Sequence, residues 1–248
     1  MITNYELRFM RDMMVKELLT IVIPCKNENI TIQKTLEYLN KQMFIEGTKV
    51  IIADVSDDNG YTIKCIESEM NKNIDIEIIK GGYPSQGRNA GAKIVKTEYV
   101  LFLDADIFIS NEKLLITLLL EMYSNIFLLS TCKFRVLSGE YNYVYKAFDW
   151  IQKITRFSKP FAIGGFMLFN TDEFNRLGGF NENDKFAEDY HLSMKINPDD
   201  FYIHNDIVYT TSRRFKSKGL YYMIKMMIKS YINRNNPEFF TKDHNYWN

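Results

Sequence analysis

The feature that most constrains this chain is an alternation over residues 18–103. Four short apolar runs are separated by segments of helical periodicity. Residues 18–24 are β-branched and closed by Pro24; residues 50–53 end at Asp54; residues 74–79 alternate and are broken by Gly81 and Gly82; residues 99–103 end at Asp104. Runs of this length and composition read as buried strands. Between them, residues 30–43 place Ile32, Leu36 and Leu39 at helical spacing, and residues 61–70 and 86–96 also read as helices. A strand–helix repeat of this kind predicts an α/β fold with a mostly parallel, Rossmann-like sheet flanked by helices. Ligands in such sheets bind beyond the carboxyl ends of the strands. Three polar clusters fall at those ends: residues 25–28, 54–58 and 104–106.

The second half is less regular. Residues 113–123 predict an apolar helix, 127–132 a strand, and 141–155 an aromatic-rich helix whose rings are expected in the core. A short strand is expected within 161–170, beside Gly164 and Gly165, and a short helix over 172–177, ended by Gly178 and Gly179. Residues 187–196 read as a helix opened by Glu188 and Asp189, acids that suit a helix N-terminus. A strand over 203–210 and a basic amphipathic helix over 218–233 complete the pattern. With no repeat or linker, the organisation reads as an extension (1–17), one domain (18–215, halves 18–110 and 111–215) and a basic helical tail (216–248).

At 248 residues and 46% hydrophobic, the chain can bury one good-sized core. Lys plus Arg and Asp plus Glu are 31 each, so a globally basic nucleic-acid binder is excluded. Cys25, Cys65 and Cys132 form no CxxC pair or disulfide framework, which suits a reducing compartment. The first residues carry charges throughout and do not resemble a signal peptide, and no apolar stretch is long enough to span a bilayer. A cytoplasmic chain is expected. The tail qualifies this: residues 207–237 hold seven cations and no acid, with an apolar stripe from Leu220 to Tyr231. Through 216–234 such a helix can lie peripherally on an anionic membrane, cover the core or form a homodimer contact.

Four constellations could carry chemistry. Asp104 and Asp106, two residues apart at a strand end, could converge on Mg²⁺ or Mn²⁺, or simply form a turn. Asp54, Ser56 and Asp58 could accept hydrogen bonds from a nucleobase or ribose, or form an Asx turn into a capped helix. Arg88, near a helix start, could pair with phosphate or with the loop carboxylates. Glu188 or Asp189, beside the Gly164-Gly165 segment, could supply a general base, or be an ordinary helix N-terminus. Neither GxGxxG nor GxxxxGK[ST] occurs, so dinucleotide and P-loop readings lose support. Cys25 reads as packing; His191 and His204 are weak candidates for a functional role or a metal ligand.

Taken together and in order, these stretches resemble the family 2 glycosyltransferases of GT-A fold. The resemblance rests on Thr20-Ile-Val-Ile-Pro24 through Asn27-Glu28, on Ile52-Ala-Asp54-Val-Ser-Asp-Asp58, on Gly87-Arg-Asn-Ala-Gly-Ala92, and on Glu98 to Asp106. Gly164-Gly165-Phe166 with Arg176-Leu-Gly-Gly-Phe180, and Ala187-Glu-Asp189, complete it. It implies that Pro24, Asn27 and Glu28 line a nucleotide pocket, that Asp54 holds the base, and that Ser56 and Asp58 shape that loop. Arg88 would brace the pocket. Asp104 would contact the nucleoside and Asp106 the divalent cation. Gly164 and Gly165 would let donor sugar and acceptor approach the backbone. Asp189 would be the catalytic base with Glu188 beside it.

The resemblance therefore implies an inverting, metal-dependent transfer from a nucleotide-diphosphate sugar, UDP-sugar favoured, to a hydroxyl on a glycan or lipid-linked glycan. Ala53, Val55 and Asp57 depart from frequent family residues, and base preference could shift with them. No Gln-x-x-Arg-Trp motif is present, which favours single-sugar transfer; Thr211-Ser-Arg-Arg-Phe215 occupies the matching place, where Arg213 or Arg214 could reach the diphosphate. The rival readings are a sugar-phosphate nucleotidyltransferase, which would be expected to carry a glycine-rich loop after the first strand, and a non-catalytic nucleotide-sugar-binding protein.

Overall fold

A computed structural model describes residues 15–70, 72–242 and 244. Among these, seven strands form one sheet in the order β3-β2-β1-β4-β6-β5-β7. The first four, β1 (Leu19–Cys25), β2 (Lys49–Asp54), β3 (Asp75–Lys80) and β4 (Tyr99–Leu103), are mutually parallel where they pair. Next to β4 lies β6 (Phe166–Asn170), antiparallel to both β4 and β5 (Leu129–Val136). The outer strand β7 (Phe201–Thr210) runs parallel to β5, with an irregularity between Thr131 and Lys133. The doubly wound expectation holds for the first half, and one reversed strand makes the whole sheet mixed.

The residues explain this order. All five residues of β4 are buried, as a central parallel strand requires. They alternate between faces. Tyr99, Leu101 and Leu103 join a core layer with Ile21, Ile23 and the helix α2 (Thr31–Leu39), whereas Val100 and Phe102 join a second layer with Val22, Phe169 and Phe180. Helix α2 follows a short α1 (Val15–Leu18). It buries Ile32, Thr35, Leu36 and Leu39, one stripe at helical spacing. On the opposite layer α4 (Pro84–Ala92), which follows α3 (Tyr61–Glu67), lies close against β1: a Cβ at Gly91 would sit 2.4 Å from Val22 Cγ1. Helix α4 opens at Pro84, earlier than the apolar pattern predicts, because proline suits the first helical turn.

The second half differs from expectation at two helices. Helix α5 (Leu114–Asn125) buries its apolar face as predicted. Helix α6 (Asn142–Thr155) does not: it buries only Val144 and Gln152, and Trp150 is 66% exposed. Its aromatic residues were expected in the core; Tyr145 packs against it and Phe148 is half-buried, whereas Tyr143 and Trp150 are exposed. After α7 (Thr171–Arg176) and α8 (Glu188–Ser193), the basic segment is two helices, α9 (Arg213–Lys218) and α10 (Leu220–Ile232). Gly219, at φ 81°, separates them in a conformation a side chain would resist. The chain then folds back through α11 (Pro237–Thr241), where Phe240 is fully buried against Phe186 and His191. Among the described residues no helix is long and apolar enough to cross a membrane.

Candidate active site

The sheet delivers its polar groups to one edge. Beyond β4, Asp104 and Asp106 turn toward the segment of Gly164 and Gly165, and the Asp104 amide donates to the Gly165 carbonyl at 3.0 Å. The N-terminal residues of α8, Glu188 and Asp189, reach the same place. One guanidinium joins them: Arg88 of α4 donates to Glu188 Oε1 at 2.6 Å, to Asp104 Oδ1 at 2.6 Å and to the Gly164 carbonyl at 3.3 Å. Arg88 is only 2% exposed. Burial alone would lower its pKa, but Asp104, Glu188 and Asp189 overcome that and raise it. Of the two roles open to Arg88 from sequence, the carboxylate one is realised.

Asp189 is a half-buried carboxylate held by backbone donors. Its Oδ2 accepts from the Gly164 amide at 2.6 Å, and its Oδ1 from the Tyr190 amide at 2.8 Å. Burial raises its pKa, and the Arg88 charge and both amide bonds oppose that rise. A Cβ on Gly164 would lie 2.8 Å from Asp189 Oδ2, so a side chain there would shift the carboxylate. Glu188 is also raised by burial, with Arg88 opposing.

Asp106 carries the other pole of the site. Its Oδ2 accepts from Thr211 Oγ1 at 3.1 Å and lies 3.8 Å from Arg213. Burial, then Asp104, then Glu28 push its pKa up to about 6, against the pull of Arg214 and Arg213. Thr211 was not singled out from sequence, although it stands in the stretch that contains both arginines. Arg213 makes a bidentate pair with Glu28, one bond being 2.9 Å, and so ties the β1 loop to α9.

The remaining expected residues form a neighbouring cluster. Ser56 donates to Asp54 Oδ1 at 2.6 Å and accepts from the Asn27 amide at 2.8 Å. Asn27 also exchanges two bonds with Asp57. Asp58 caps α3 by accepting from the amide and hydroxyl of Thr62. Asp54, Ser56 and Asp58 therefore make the turn-and-cap geometry that was one of their two sequence readings. Pro24 is in the neighbouring strand β1, opposite Ala53, and its Cβ lies 3.4 Å from a Cβ built on Gly87. Cys25, whose thiol pKa is pushed up by burial and by Asp54, is packing as expected. His191 pairs with Asp184 at 2.8 Å, and His204 accepts from the Asp206 amide at 3.2 Å. Both have local partners.

A cavity of about 780 Å³ opens over the carboxylates. Arg88, Asp104, Asp106, Glu188 and Asp189 line its polar end, with Gly164 and Gly165 at the floor. Arg213 and Arg214 close one side. Pro24, Asn27, Glu28, Asp54, Ser56 and Asp58 lie outside it, with Glu28 linked to its rim through Arg213. Among the described residues no group of three or more His, Cys, Asp or Glu is arranged to hold a metal. Asp104 and Asp106 are hard oxygen donors, and Asp106 is raised by burial and then by the neighbouring charges of Asp104 and Glu28. That donor set fits a Mg²⁺ or Mn²⁺ ion that takes its other ligands from water and phosphate.

A Rossmann-like half, an inserted antiparallel strand and a carboxylate cleft at the end of β4 define a glycosyltransferase of GT-A fold. The chain belongs to the family described as Glycosyl transferase family 2, whose model matches residues 20–178. Among curated proteins it is 34% identical over 101 residues to the poly(ribitol-phosphate) beta-glucosyltransferase of Bacillus spizizenii, covering 39% of this chain and 16% of that protein. It is 31% identical over 90 residues to the amylovoran biosynthesis glycosyltransferase AmsB of Erwinia amylovora, covering 35% of this chain and 30% of that one. Each match thus spans less than a third of the relative. Among solved structures, TarS of Staphylococcus aureus in complex with UDP has a TM-score of 0.62 at 20% identity, over 78% of this chain and 60% of that one. The mannosyltransferase PcManGT of Pyrobaculum calidifontis, in complex with GDP-Man and Mn²⁺, has a TM-score of 0.64 at 18% identity, over 85% and 64%. At these identities the likeness concerns the fold.

Proposed function

We propose that the chain transfers a single sugar from a nucleoside diphosphate donor, UDP-sugar first among them, to an acceptor hydroxyl, with inversion at the anomeric carbon. The observation that carries this reading is Asp189, a half-buried carboxylate fixed by two backbone amides and lining one cleft with Asp104 and Asp106. A carboxylate whose pKa is raised is a better proton acceptor than an exposed one. In the proposed step the Asp189 carboxylate takes the hydroxyl proton. The acceptor oxygen bonds to the anomeric carbon as the bond to the diphosphate oxygen breaks, and that electron pair leaves with the nucleoside diphosphate. No covalent sugar intermediate is required.

Asp106, with Asp104, would hold the divalent cation, which when bound supplies charge neutralisation for the leaving diphosphate. Arg213 and Arg214 stand where they can add to that neutralisation. Asp54, Ser56, Asn27 and Glu28, in the half spanning 18–110, would shape the nucleoside side, with Arg88 bracing the cleft; residues 111–215 would present the acceptor. The two relatives, named as glycosyltransferases, and the solved neighbours with UDP or with GDP-Man and Mn²⁺ support this class of donor and cation.

Release of nucleoside diphosphate from a panel of UDP-, GDP- and dTDP-sugars, with Mn²⁺, Mg²⁺ or EDTA, tests the proposal. Turnover of one donor that requires metal and disappears in Asp106→Ala and Asp189→Ala is expected. Absence of both turnover and metal-dependent nucleotide binding would overturn it in favour of a non-catalytic role.

A further inference from the structure

The active-site cavity is far larger than the carboxylate cluster needs, and its outer part is made of a different material. Beyond Asp189 the walls are Phe148, Ile151 and Ile154 of α6 on one side and Met223, Met227 and Ile228 of α10 on the other. These two helices bury few of their side chains, although Tyr145 of α6 packs against the core beside Phe134. Fourteen residues of α6 bury two side chains, Val144 and Gln152; thirteen of α10 bury two, Met226 and Ser230. An amphipathic helix packed on a core normally buries a stripe about 100° wide or more. Here the apolar stripes line and rim the cavity: Trp150, Ile154, Ile228 and Tyr231 are all more than half exposed.

Charge follows the same pattern. The chain is neutral overall, yet residues 141–159 carry four cations and one acid, and residues 207–237 carry seven cations and no acid. The one acid, Asp149, is already paired with Arg135 at 2.6 Å. Lys159 and Arg234 stand on the cavity lining itself. An apolar slot with a cationic surround, opening on a general base, suits a particular ligand. A bare glycan would leave the Phe, Ile and Met walls uncovered. A protein partner would sit on the rim rather than fill a cavity of about 780 Å³, which has the size of a small-molecule site. Methionines, which adapt their shape, suit a flexible hydrocarbon better than a rigid ring.

We infer that the space between α6 and α10 is the acceptor subsite, and that the acceptor is a lipid-linked hydroxyl compound whose apolar chain lies between the two helices. This rests on the glycosyltransferase reading. The hydroxyl-bearing headgroup reaches Asp189, the anionic linkage meets the cations of the rim, and the chain runs outward between Ile154 and Ile228. Just beyond the two helices Lys159 and Arg234 line the cavity beside the exposed Ile154, Ile228 and Tyr231, the mixture of cation and apolar surface that an anionic bilayer favours.

The test separates binding from catalysis. In a Trp247→Phe background Trp150 is the remaining indole. Quenching of its fluorescence by bromoalkyl β-glucosides, below micelle formation, reports chain binding without a donor. The expected result is saturable quenching whose dissociation constant falls by at least about tenfold from octyl to dodecyl. Ile154→Glu and Ile228→Glu, at exposed positions, should abolish that dependence with an unchanged thermal midpoint. Ile232→Glu, on α10 but outside the cavity, should leave it intact. Binding that is absent, independent of chain length or indifferent to the two cavity variants would overturn the assignment, including the case in which another part of this chain fills the slot. Donor turnover without acceptor is measured in parallel. Metal-dependent nucleotide binding is measured beside it. Absence of both counts against the transferase reading, and either one with no chain binding counts against the acceptor subsite alone.

Discussion

The two halves of this molecule satisfy their polar groups in different ways. In the β1–β4 half the loop side chains, Glu28 apart, close on near neighbours or on an adjacent loop: Asp54 with Ser56, Asp58 with Thr62, Asn27 with Asp57. The apolar stripe of α2 is fully covered. Between the halves charged groups are held across long separations, Arg88 to Glu188 and Thr211 to Asp106, and two helices beyond β4 leave much of their apolar faces open. The first half is built for stability. The seam between the halves keeps buried charge, and the second half keeps uncovered hydrocarbon, both of which cost stability, where a substrate can use them.

That contrast is most exposed to refutation at Asp189. Asp189→Asn should lower kcat by roughly 10²–10⁴-fold with little change in melting temperature. In the unaltered protein kcat/KM should fall as pH drops through the raised Asp189 pKa, so the acid limb should lie above the ordinary aspartate range of about 3.9. A large loss of stability in the variant would mean the carboxylate is structural.

Arg88 belongs to both halves, and Arg88→Met should cost about 3–5 kcal/mol in urea unfolding because Glu188 and Asp104 lose their shared cation. Adding Glu188→Gln should restore part of it.

A matched pair compares the helices directly. Leu36→Ala in α2 should cost about 2–5 kcal/mol, and Ile232→Ala in α10 no more than about 0.5 kcal/mol. Equal costs would show that α10 is covered in solution.

Asp106 gives the opposite sign. Its folded pKa of about 6 exceeds the unfolded value of about 3.9. Its contribution to stability is therefore full below about pH 4 and lost as pH rises through about 6. In EDTA, Asp106→Asn should accordingly stabilise the chain near pH 7 by about 2 kcal/mol while abolishing metal-dependent turnover, and change little near pH 4. Gly164→Ala should have the smallest effect, about a tenfold fall in kcat, because the new methyl must displace Asp189 Oδ2. Unchanged kinetics would show that the Gly164 contact does not position the base.

Much of the first half was legible because its information is local. Strands β1, β2 and β4 and helix α2 are written in runs and spacings only a few residues long, and the polar ends of β1, β2 and β4 mark where ligands can bind in a doubly wound sheet. Asp104, Asp106, Glu188 and Asp189 could be picked out for the same reason. What the linear pattern could not decide was partnership. Nothing near Arg88 in the chain indicates that it pairs with Glu188, a hundred residues on, rather than with a phosphate. Nothing in residues 141–155 distinguishes an aromatic face turned into the core from one turned toward a cavity, since both are amphipathic with the same period. By itself the sequence determined which elements form and which residues carry charge or apolar bulk, because backbone sterics and side-chain periodicity act over single turns and strands. The tertiary structure alone decided which charges neutralise one another and which apolar faces stay uncovered, because both depend on what the chain brings alongside from far away.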